Sequence, residues 1–587
     1  MAATRLPAVD VVTVGFGLTA SILARELTSA GLKVVALERG RMRDTWPDFA
    51  MPHAHDELRF VRRHELMQDL SRETITFRNA FNENALPMRQ LGSFLPGEGV
   101  GGAAVHWGGQ NWRFLPWDFE TRSRTLERYG PGQWPEGCTS QDWGITYEDL
   151  EPHFDRFEKI YGIGGKAGNL QGRIQPGGNP FEGPRSSEFP NPPMKTAFAG
   201  KVFGEAAARM GLHPFPMPAA TMSQPYTNPY GVSMGACVYC GYCQFFACEM
   251  GAKASPQTTV LPALRDDSRF ELRTLCNVTR VNLDSARRRA VSVSYIDSRG
   301  REFEQPAEIV LLTSYVFGNV RLMLLSGIGR PYDPVAGTGV VGRNYAYQTP
   351  SGVTLFFEDR EFNQFMGAGA MATVVDDYNG DNFDHAGLGF IGGGFIAAGS
   401  TGARPIEYRP VPPGTPRWGG AWKQAVAKYF NRSFVINVQG ACQSYRTNYL
   451  DLDPVYRDAL GQPLLRMTFD RRENERRMSA YLTERAADIA RAIGPAKIAS
   501  NPRTGKYTIV PYQSTHNTGG AVMGADPATS AVNPFLQCWD VHNVFVPGAS
   551  AFPQNGGYNP TGTVGALTCH LAAALKDRYL RRPGPLA

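Results

Sequence analysis

The pattern of apolar positions near the start of the chain predicts a strand, a tight turn and a helix. Residues 11–14 (Val-Val-Thr-Val) are a β-branched run, and residues 15–20 (Gly-Phe-Gly-Leu-Thr-Ala) form a glycine-rich turn. A helical pattern of apolar residues follows, made by Ile22, Leu23, Leu27 and Leu32. A second apolar run at residues 34–37 leads to Glu38 and completes a β-α-β unit.

This unit has the pattern of a dinucleotide-binding site. Gly15 permits the turn, Gly17 lets the backbone approach a pyrophosphate, and the small Ala20 lets helix and strand pack closely. The helix N-terminus offers free N–H donors and a positive dipole end to phosphate. Glu38 lies where a carboxylate would hold ribose hydroxyls. The alternative is a glycine-rich turn in an ordinary β-α-β unit.

Length and composition narrow the class of protein. The 587 residues suit two packed domains, and 42% hydrophobic with 19% charged residues is typical of a folded chain. A formal charge of +6 without a basic block gives no support for nucleic-acid binding. No apolar run approaches the roughly 20 residues needed to cross a bilayer. No secretory signal is visible before residue 10, which by itself indicates the cytoplasm.

A second glycine-rich stretch carries a family resemblance. Residues 97–109 (Gly-Glu-Gly-Val-Gly-Gly-Ala-Ala-Val-His-Trp-Gly-Gly) bring backbone close to a neighbouring group. The stretch resembles the segment that runs along the flavin in glucose–methanol–choline (GMC) oxidoreductases, so the resemblance implies FAD. The implied contacts are Gly99, Gly101, Gly102, His106 and Trp107. Some relatives attach FAD covalently through a histidine here; the alternative for His106 is packing beside the isoalloxazine ring.

Further landmarks extend the resemblance along nearly the whole chain. Residues 143–152, 322–329 and 339–344 are similar to family motifs. The resemblance implies that Val278 contacts the adenine and that the C-terminal flavin contacts are Gly548, Ala549, Asn559, Pro560 and Thr561. Within the family, the cysteine segment and residues 311–315 and 556–562 are most similar to the gluconate 2-dehydrogenase flavoprotein subunit group.

Four of the nine cysteines lie in one short segment at residues 235–250. Cys237, Cys240, Cys243 and Cys248 give the spacing C-x2-C-x2-C-x4-C, whose opening resembles the bacterial ferredoxin run. This predicts an iron–sulfur cluster of the 3Fe-4S or 4Fe-4S type. A structural zinc ion, a redox disulfide and cysteines without a metal are the alternatives.

Two residues near the C-terminus are candidates for catalysis. His516 follows Gln513-Ser514-Thr515, and Asn559 precedes Pro560-Thr561; both are similar to the catalytic landmarks of the family. An imidazole can take the hydroxyl proton while the carbinol hydrogen leaves as hydride, and an amide can orient the substrate oxygen. Gln348, Gln439 and Arg446 lie on segments that could face the flavin, but each type is common in strands and surfaces, so none is predicted as a site residue.

The resemblance implies an α/β fold in which a Rossmann-like FAD domain is interleaved with an α+β substrate domain built on an antiparallel sheet. The expected FAD domain comprises residues 1–45, 90–120, 250–345 and 510–587. The substrate domain and the cluster-bearing insertion comprise residues 46–89, 121–249 and 346–509. Residues 433–439 and 464–469 are predicted strands of the antiparallel sheet.

The expected function is oxidation of a secondary alcohol of a sugar or sugar acid, as in gluconate 2-dehydrogenase. The alternatives are a glucoside 3-dehydrogenase and a non-catalytic flavin- and metal-binding assembly subunit. The resemblance implies a small partner with a twin-arginine signal and a cytochrome c acceptor. It also implies a periplasmic location after folded export; a cytoplasmic protein fits the sequence equally well.

Overall fold

The apolar run near the N-terminus forms a central strand of an eight-stranded sheet. A computed structural model describes residues 3–50, 62–90, 92–401 and 408–586. Strand Val9–Val14 lies between Val34–Leu37 and Glu302–Leu312, and all three run parallel. Parallel strands are covered on both faces, which explains their continuous apolar runs. The other strands of this first sheet are Thr4–Arg5, Phe270–Arg273, Cys276–Leu283, Ala290–Asp297 and Val544–Phe545.

A second sheet has six antiparallel strands. In spatial order they are Lys497–Ser500, Thr349–Phe356, Ser433–Gly440, Gly394–Thr401, Gly367–Val375 and Phe215–Pro216. Helices Phe198–Arg209 and Glu473–Ile493 cover one face. Because side chains alternate along a strand, Phe434 and Ile436 pack under these helices, whereas Asn437 points to the opposite face and lines a cavity.

The strand predicted at residues 464–469 exists but belongs to a third sheet. Pro463–Thr468 pairs in parallel with Ile75–Arg78, and Tyr449–Arg457 and Leu86–Pro87 complete four strands. Its placement in the antiparallel sheet was wrong, because apolar alternation specifies a strand and a buried face but not the neighbouring strand. Two short hairpins are formed by Asn169–Leu170 with Arg173–Ile174 and by Tyr226–Thr227 with Ser233–Met234.

The helices pack around the first sheet as well. Tyr147–Tyr161 begins at a capping box in which Thr146 Oγ1 accepts from Asp149 N at 3.3 Å and Asp149 accepts from Thr146 N at 3.0 Å. It packs against Thr561–Ala574, which also contacts Leu18–Ser29. The remaining helices are Pro116–Phe119, Thr121–Tyr129, Pro256–Thr259, Tyr315–Ser326 and Gly420–Tyr429.

The sheets draw on distant parts of the chain. All strands of the first sheet fall within residues 1–45, 250–345 and 510–587, and the second sheet uses strands from 215–216 and 349–500. The domain boundaries themselves stay a prediction. Within the described ranges, no helix combines the length and apolar character required to cross a membrane.

Candidate active site

A cavity of about 740 Å³ lies at the carboxyl ends of the parallel strands. Strand Val9–Val14 leads into it at Gly15, and strand Val34–Leu37 leads into it at Glu38. The opposite wall comes from the second sheet, including Asn437 and Gln439. Open α/β sheets bind ligands at this edge, and the volume is typical of a small-molecule or cofactor site.

Several glycines lining this cavity leave space that the protein itself does not use. A Cβ added at Gly17 would meet only Gly101 O, at 3.9 Å, and one at Gly102 would meet only Gly17 Cα, at 3.7 Å. A Cβ at Gly548 would meet only Thr19, at 3.9 Å. The empty space on the cavity side therefore accounts for these glycines as a cradle for a bound group.

His516 is held in one tautomer by Gln348. The Gln348 Nε2 atom donates to Gly556 O at 3.1 Å and to Tyr558 O at 2.5 Å, so this end of the amide must be the NH2 group. Gln348 Oε1 therefore faces His516 Nδ1 as an acceptor, and His516 Nδ1 carries the proton. The lone pair of the imidazole is then on Nε2.

That Nε2 atom faces Asn559. The Asn559 amide donates to it at 3.2 Å, and among the described residues the buried Asn559 Oδ1 atom has no hydrogen-bond partner. Both side chains line the cavity. A substrate hydroxyl entering here would find an acceptor nitrogen and an amide N–H donor, which is the pair needed to remove its proton and orient its oxygen.

The loop that presents Asn559 is fixed by a buried network. Tyr558 donates its hydroxyl to Asp376, and Asn179 and Asn379 each donate to the same carboxylate at 3.0 Å. Trp112 stacks on Tyr558 with 4.6 Å between ring centroids and 7° between planes. Burial raises the pKa of Asp376 to about 7. The network holds the residue next to Asn559 in place.

Comparison with known proteins identifies the family. GMC oxidoreductase family models match residues 196–349 and 444–568. The gluconate 2-dehydrogenase flavoprotein of Pantoea cypripedii is 50% identical over 591 residues, covering 100% of this chain and 96% of that protein. The chain belongs to the GMC oxidoreductases. As a member of this family it is an FAD-dependent dehydrogenase acting on CH–OH groups, which sets aside a non-catalytic assembly role.

Two other comparisons cover nearly the whole chain. The fructose dehydrogenase large subunit of Gluconobacter japonicus is 25% identical, covering 96% of this chain and 97% of that one. The crystal structure of pyridoxine 4-oxidase from Mesorbium loti is 16% identical with a TM-score of 0.58, covering 97% of this chain and 99% of that one. The second similarity confirms the GMC fold.

The structure brings most of the predicted flavin contacts of this GMC oxidoreductase to the cavity wall. Those lining it are Gly15, Gly17, Glu38, Gly99, Gly101, Gly102, His106, Trp107, Val278, Gly548, Ala549, Asn559, Pro560 and Thr561. Ala20 is buried inside its helix instead of lining the cavity. Glu38 accepts from Phe16 N and Gly40 N, both at 2.8 Å, which orients its carboxylate. The individual roles stay predictions.

His106 is a neutral imidazole at the cavity wall. Burial, aided by the nearby Lys253 charge, lowers its pKa to about 3. Its buried Nε2 atom has no hydrogen-bond partner in the part of the chain that the structure describes, while the neighbouring Trp107 donates its indole N–H to Ala254 O at 2.8 Å. This neutral imidazole nitrogen is available for contact with a group bound in the cavity. Covalent attachment of FAD at His106 stays a prediction.

Sequence reasoning missed two residues of the site. Gln348 bonds to His516, and Gln439 donates its amide to Gln348 Oε1. No local motif marks either glutamine, since Gln348 is 168 positions from His516. Arg446, considered with them, lies elsewhere: it is exposed and donates to Pro334 O at 2.8 Å.

The cysteine segment packs directly against the flavin-side segment. Cys237, Cys240, Cys243 and Cys248 line one small cavity and form no disulfide. Phe245 N donates to His106 O at 2.9 Å. A Cβ on Gly369 would lie 1.9 Å from Gly108 O and 2.9 Å from Cys243 Cβ. The two segments are therefore in such close contact at Gly369 that a side chain there would clash with both.

The four thiols are not arranged around a single ion. Among the described residues, no three His, Cys, Asp or Glu side chains form a group suited to one metal ion. Four sulfurs around one zinc ion would lie about 4 Å apart, given Zn–S bonds of ~2.3 Å. An iron–sulfur cluster on these four thiols stays a prediction.

We expect His516 to contribute no inflection near pH 6.5 to the pH dependence of kcat/KM. Burial away from water lowers the pKa of His516 to about 3, so the imidazole stays neutral and able to accept a proton down to that pH. Measurement of kcat/KM between pH 5 and 8 with an uncharged sugar isolates the enzyme's own groups. A loss of rate below a pKa near 6.5 that persists in Asp376→Asn protein, which lacks the other buried group with a pKa of about 7 near this loop, would contradict this environment for His516.

Proposed function

We propose that this chain oxidises a secondary alcohol of a sugar or sugar acid to a ketone, as the name of its relative from Pantoea cypripedii indicates for that protein. We propose further that its four clustered cysteines hold an iron–sulfur cluster. The observation that carries the proposal is the juxtaposition on one cavity wall: a neutral base at His516 with Asn559, and a thiol-rich loop bonded to the His106–Trp107 segment.

In the proposed reaction, His516, Gln348 and Asn559 each have a separate role beside the bound FAD. FAD bound in the cavity supplies the acceptor for the hydride that leaves the carbinol carbon. His516 Nε2 takes the hydroxyl proton, and Gln348 keeps that nitrogen unprotonated by accepting from Nδ1–H. Asn559 holds the substrate oxygen through its amide N–H, which faces the same Nε2 atom. Burial of the site excludes water from the reacting atoms.

The cysteine loop supports a one-electron carrier next to this site. An iron–sulfur cluster on Cys237, Cys240, Cys243 and Cys248 would supply one-electron transfer from the reduced flavin to a cytochrome, which accepts electrons one at a time. The wall between the loop and the cavity is thin, because Gln244 and Phe245 line the main cavity while Cys243 lines the small one. The supported acceptor is therefore a cytochrome c in place of oxygen.

The proposed partners follow from the relatives' names. The relatives are called a flavoprotein and a large subunit, which supports assembly with further subunits. We propose a small subunit with a twin-arginine signal and a cytochrome c, and a periplasmic location reached by folded export. Folded export would let FAD and a cluster be inserted before the protein leaves the cytoplasm.

One substrate panel tests the proposal. Purified holoprotein is mixed with gluconate, glucose or lactose and an artificial electron-accepting dye, with and without oxygen. We expect dye reduction with a sugar acid or sugar, at the same rate in both conditions, and no peroxide without dye. Stoichiometric peroxide in the absence of dye would contradict cytochrome c as the electron acceptor. Inactivity with all three compounds would contradict a sugar or sugar acid as the substrate.

A second candidate, oxidation of C3 in a glucoside, is favoured by one feature of the cavity. In the described ranges, its charged lining residues are Glu38, Arg39, Glu73 and Arg321. Ion pairs join Arg39 and Arg321 to Glu73, beside the predicted adenine contact Val278. The lining residues near His516 are instead uncharged, including Ser351, Asn437 and Gln439. Faster dye reduction with lactose than with gluconate would support this candidate.

A further inference from the structure

Lys253 is a buried side chain that joins the cysteine loop to the flavin-side segment. Its exposed fraction is 1%. Its Nζ atom donates to Trp107 O at 2.8 Å, to Cys243 O at 2.6 Å and to Phe246 O at 2.7 Å. One atom therefore bridges the backbone beside the cavity and the backbone of the thiol-rich loop.

The three carbonyl acceptors around Nζ match the three N–H bonds of an ammonium and favour the charged form of Lys253, whereas burial by itself lowers its pKa. A neutral amine has two N–H bonds, whereas an ammonium has three, and each of the three acceptors is a carbonyl oxygen that requires a donor. Within the part of the chain that the structure describes, no carboxylate lies within 4.0 Å of Nζ. The charge is held by neutral dipoles alone.

A buried charge without a counter-ion is costly, because desolvation is repaid only by an opposite charge or strong hydrogen bonds. The groups that interact electrostatically with Lys253 and can become anionic are the thiols of Cys240, Cys243 and Cys248. A cluster bound by thiolates carries the negative charge that this site lacks when the thiols are protonated. The position of Lys253 fits that of a built-in counter-ion.

We propose that Lys253 is a fixed positive charge beside the cluster and that this charge raises the reduction potential of the cluster. The same side chain ties the cysteine loop to the segment beside the flavin. This inference rests on the proposed cluster at Cys237, Cys240, Cys243 and Cys248. A nearby cation stabilises the reduced form, which has one more electron than the oxidised form. Lys253 is a positioning residue, since it contacts backbone carbonyls and not the reacting atoms.

The test replaces the charge while keeping hydrogen-bond donors. Lys253→Gln retains an NH2 group near the three carbonyls, and Lys423→Gln, on the exposed side of helix Gly420–Tyr429, is the matched control. We expect Lys253→Gln to shift the equilibrium between reduced and oxidised cluster at least tenfold towards oxidised, which is about 59 mV for one electron. Redox titration followed by electron paramagnetic resonance measures it. Substrate-driven flavin reduction should change less than twofold.

The outcomes distinguish failure of the proposed cluster from failure of the proposed role of Lys253. Wild-type protein without iron or acid-labile sulfide would overturn the proposed cluster and this inference with it. Lys253→Gln protein that keeps iron and the wild-type potential would overturn the inference alone. Loss of iron from Lys253→Gln with flavin intact supports the tie between the loop and the flavin-side segment, and the potential is then decided with Lys253→Arg. If Lys253→Gln does not fold, Lys253→Arg decides: a potential within threefold of wild type supports the charge, and a tenfold shift contradicts it.

Discussion

Replacement of His516 by alanine is expected to lower the rate of substrate-driven flavin reduction by about 10²–10⁴-fold, the usual contribution of a positioned general base. The loss follows from the geometry, in which Nε2 is the unprotonated nitrogen of the imidazole and faces Asn559 at 3.2 Å. Bound flavin should remain, because the glycines that shape the cofactor cavity come from other segments. Anaerobic stopped-flow bleaching of the flavin measures the rate.

The matched control for this variant is His213→Ala. His213 is exposed and pairs with Asp377 through Nδ1 at 2.7 Å, away from the residues that line the cavity. It should bleach at the wild-type rate. A wild-type bleaching rate in His516→Ala would remove His516 from the role of base, and loss of bound flavin would show that the side chain holds the cofactor site together.

Gln348→Leu is expected to lower kcat by about 10–100-fold while KM changes little, as when a residue that orients a ligand or base is removed. The amide fixes the proton on Nδ1, because its own NH2 end is committed to Gly556 O and Tyr558 O. Leucine removes the acceptor, so Nδ1–H is left unsatisfied in a buried site and the tautomer with the proton on Nε2 becomes accessible. Steady-state kinetics with a saturating dye measures the effects on kcat and on KM separately.

Gln424→Leu is the control for the loss of an amide. Gln424 is exposed on helix Gly420–Tyr429 and should leave kcat unchanged. If Gln348→Leu raised KM and left kcat intact, Gln348 would be a substrate contact and not the residue that sets the tautomer of His516.

Local sequence determined the parts of the fold that depend on neighbouring residues. The β-α-β unit, the capping box at Thr146 and the strand Ser433–Gly440 follow from periodicity, turn residues and caps over short stretches. The third sheet could not be predicted in this way, because the parallel pairing of Pro463–Thr468 with Ile75–Arg78 joins segments almost 400 positions apart. Pairing of distant strands is decided by packing of the whole chain.

The residues of the site also differ in whether a local motif predicts them. His516 and Asn559 are 43 positions apart and each carries a recognisable motif, so the pair could be predicted. Gln348 has no motif, and its role depends on two backbone carbonyls of the Asn559 loop. Lys253 is similar: a single lysine after a cysteine segment gives no indication that it bonds to Trp107 O across the wall of the cavity.

The central claim is that substrate electrons enter at His516 and Asn559 and reach the cysteine loop. Anaerobic addition of an active substrate to purified protein, followed by parallel optical and electron paramagnetic resonance spectra, tests it directly. We expect the flavin absorbance to bleach and an iron–sulfur signal to change in the wild type, and neither to occur at the wild-type rate in His516→Ala. Flavin bleaching in protein that contains no iron and gives no cluster signal would contradict the claim.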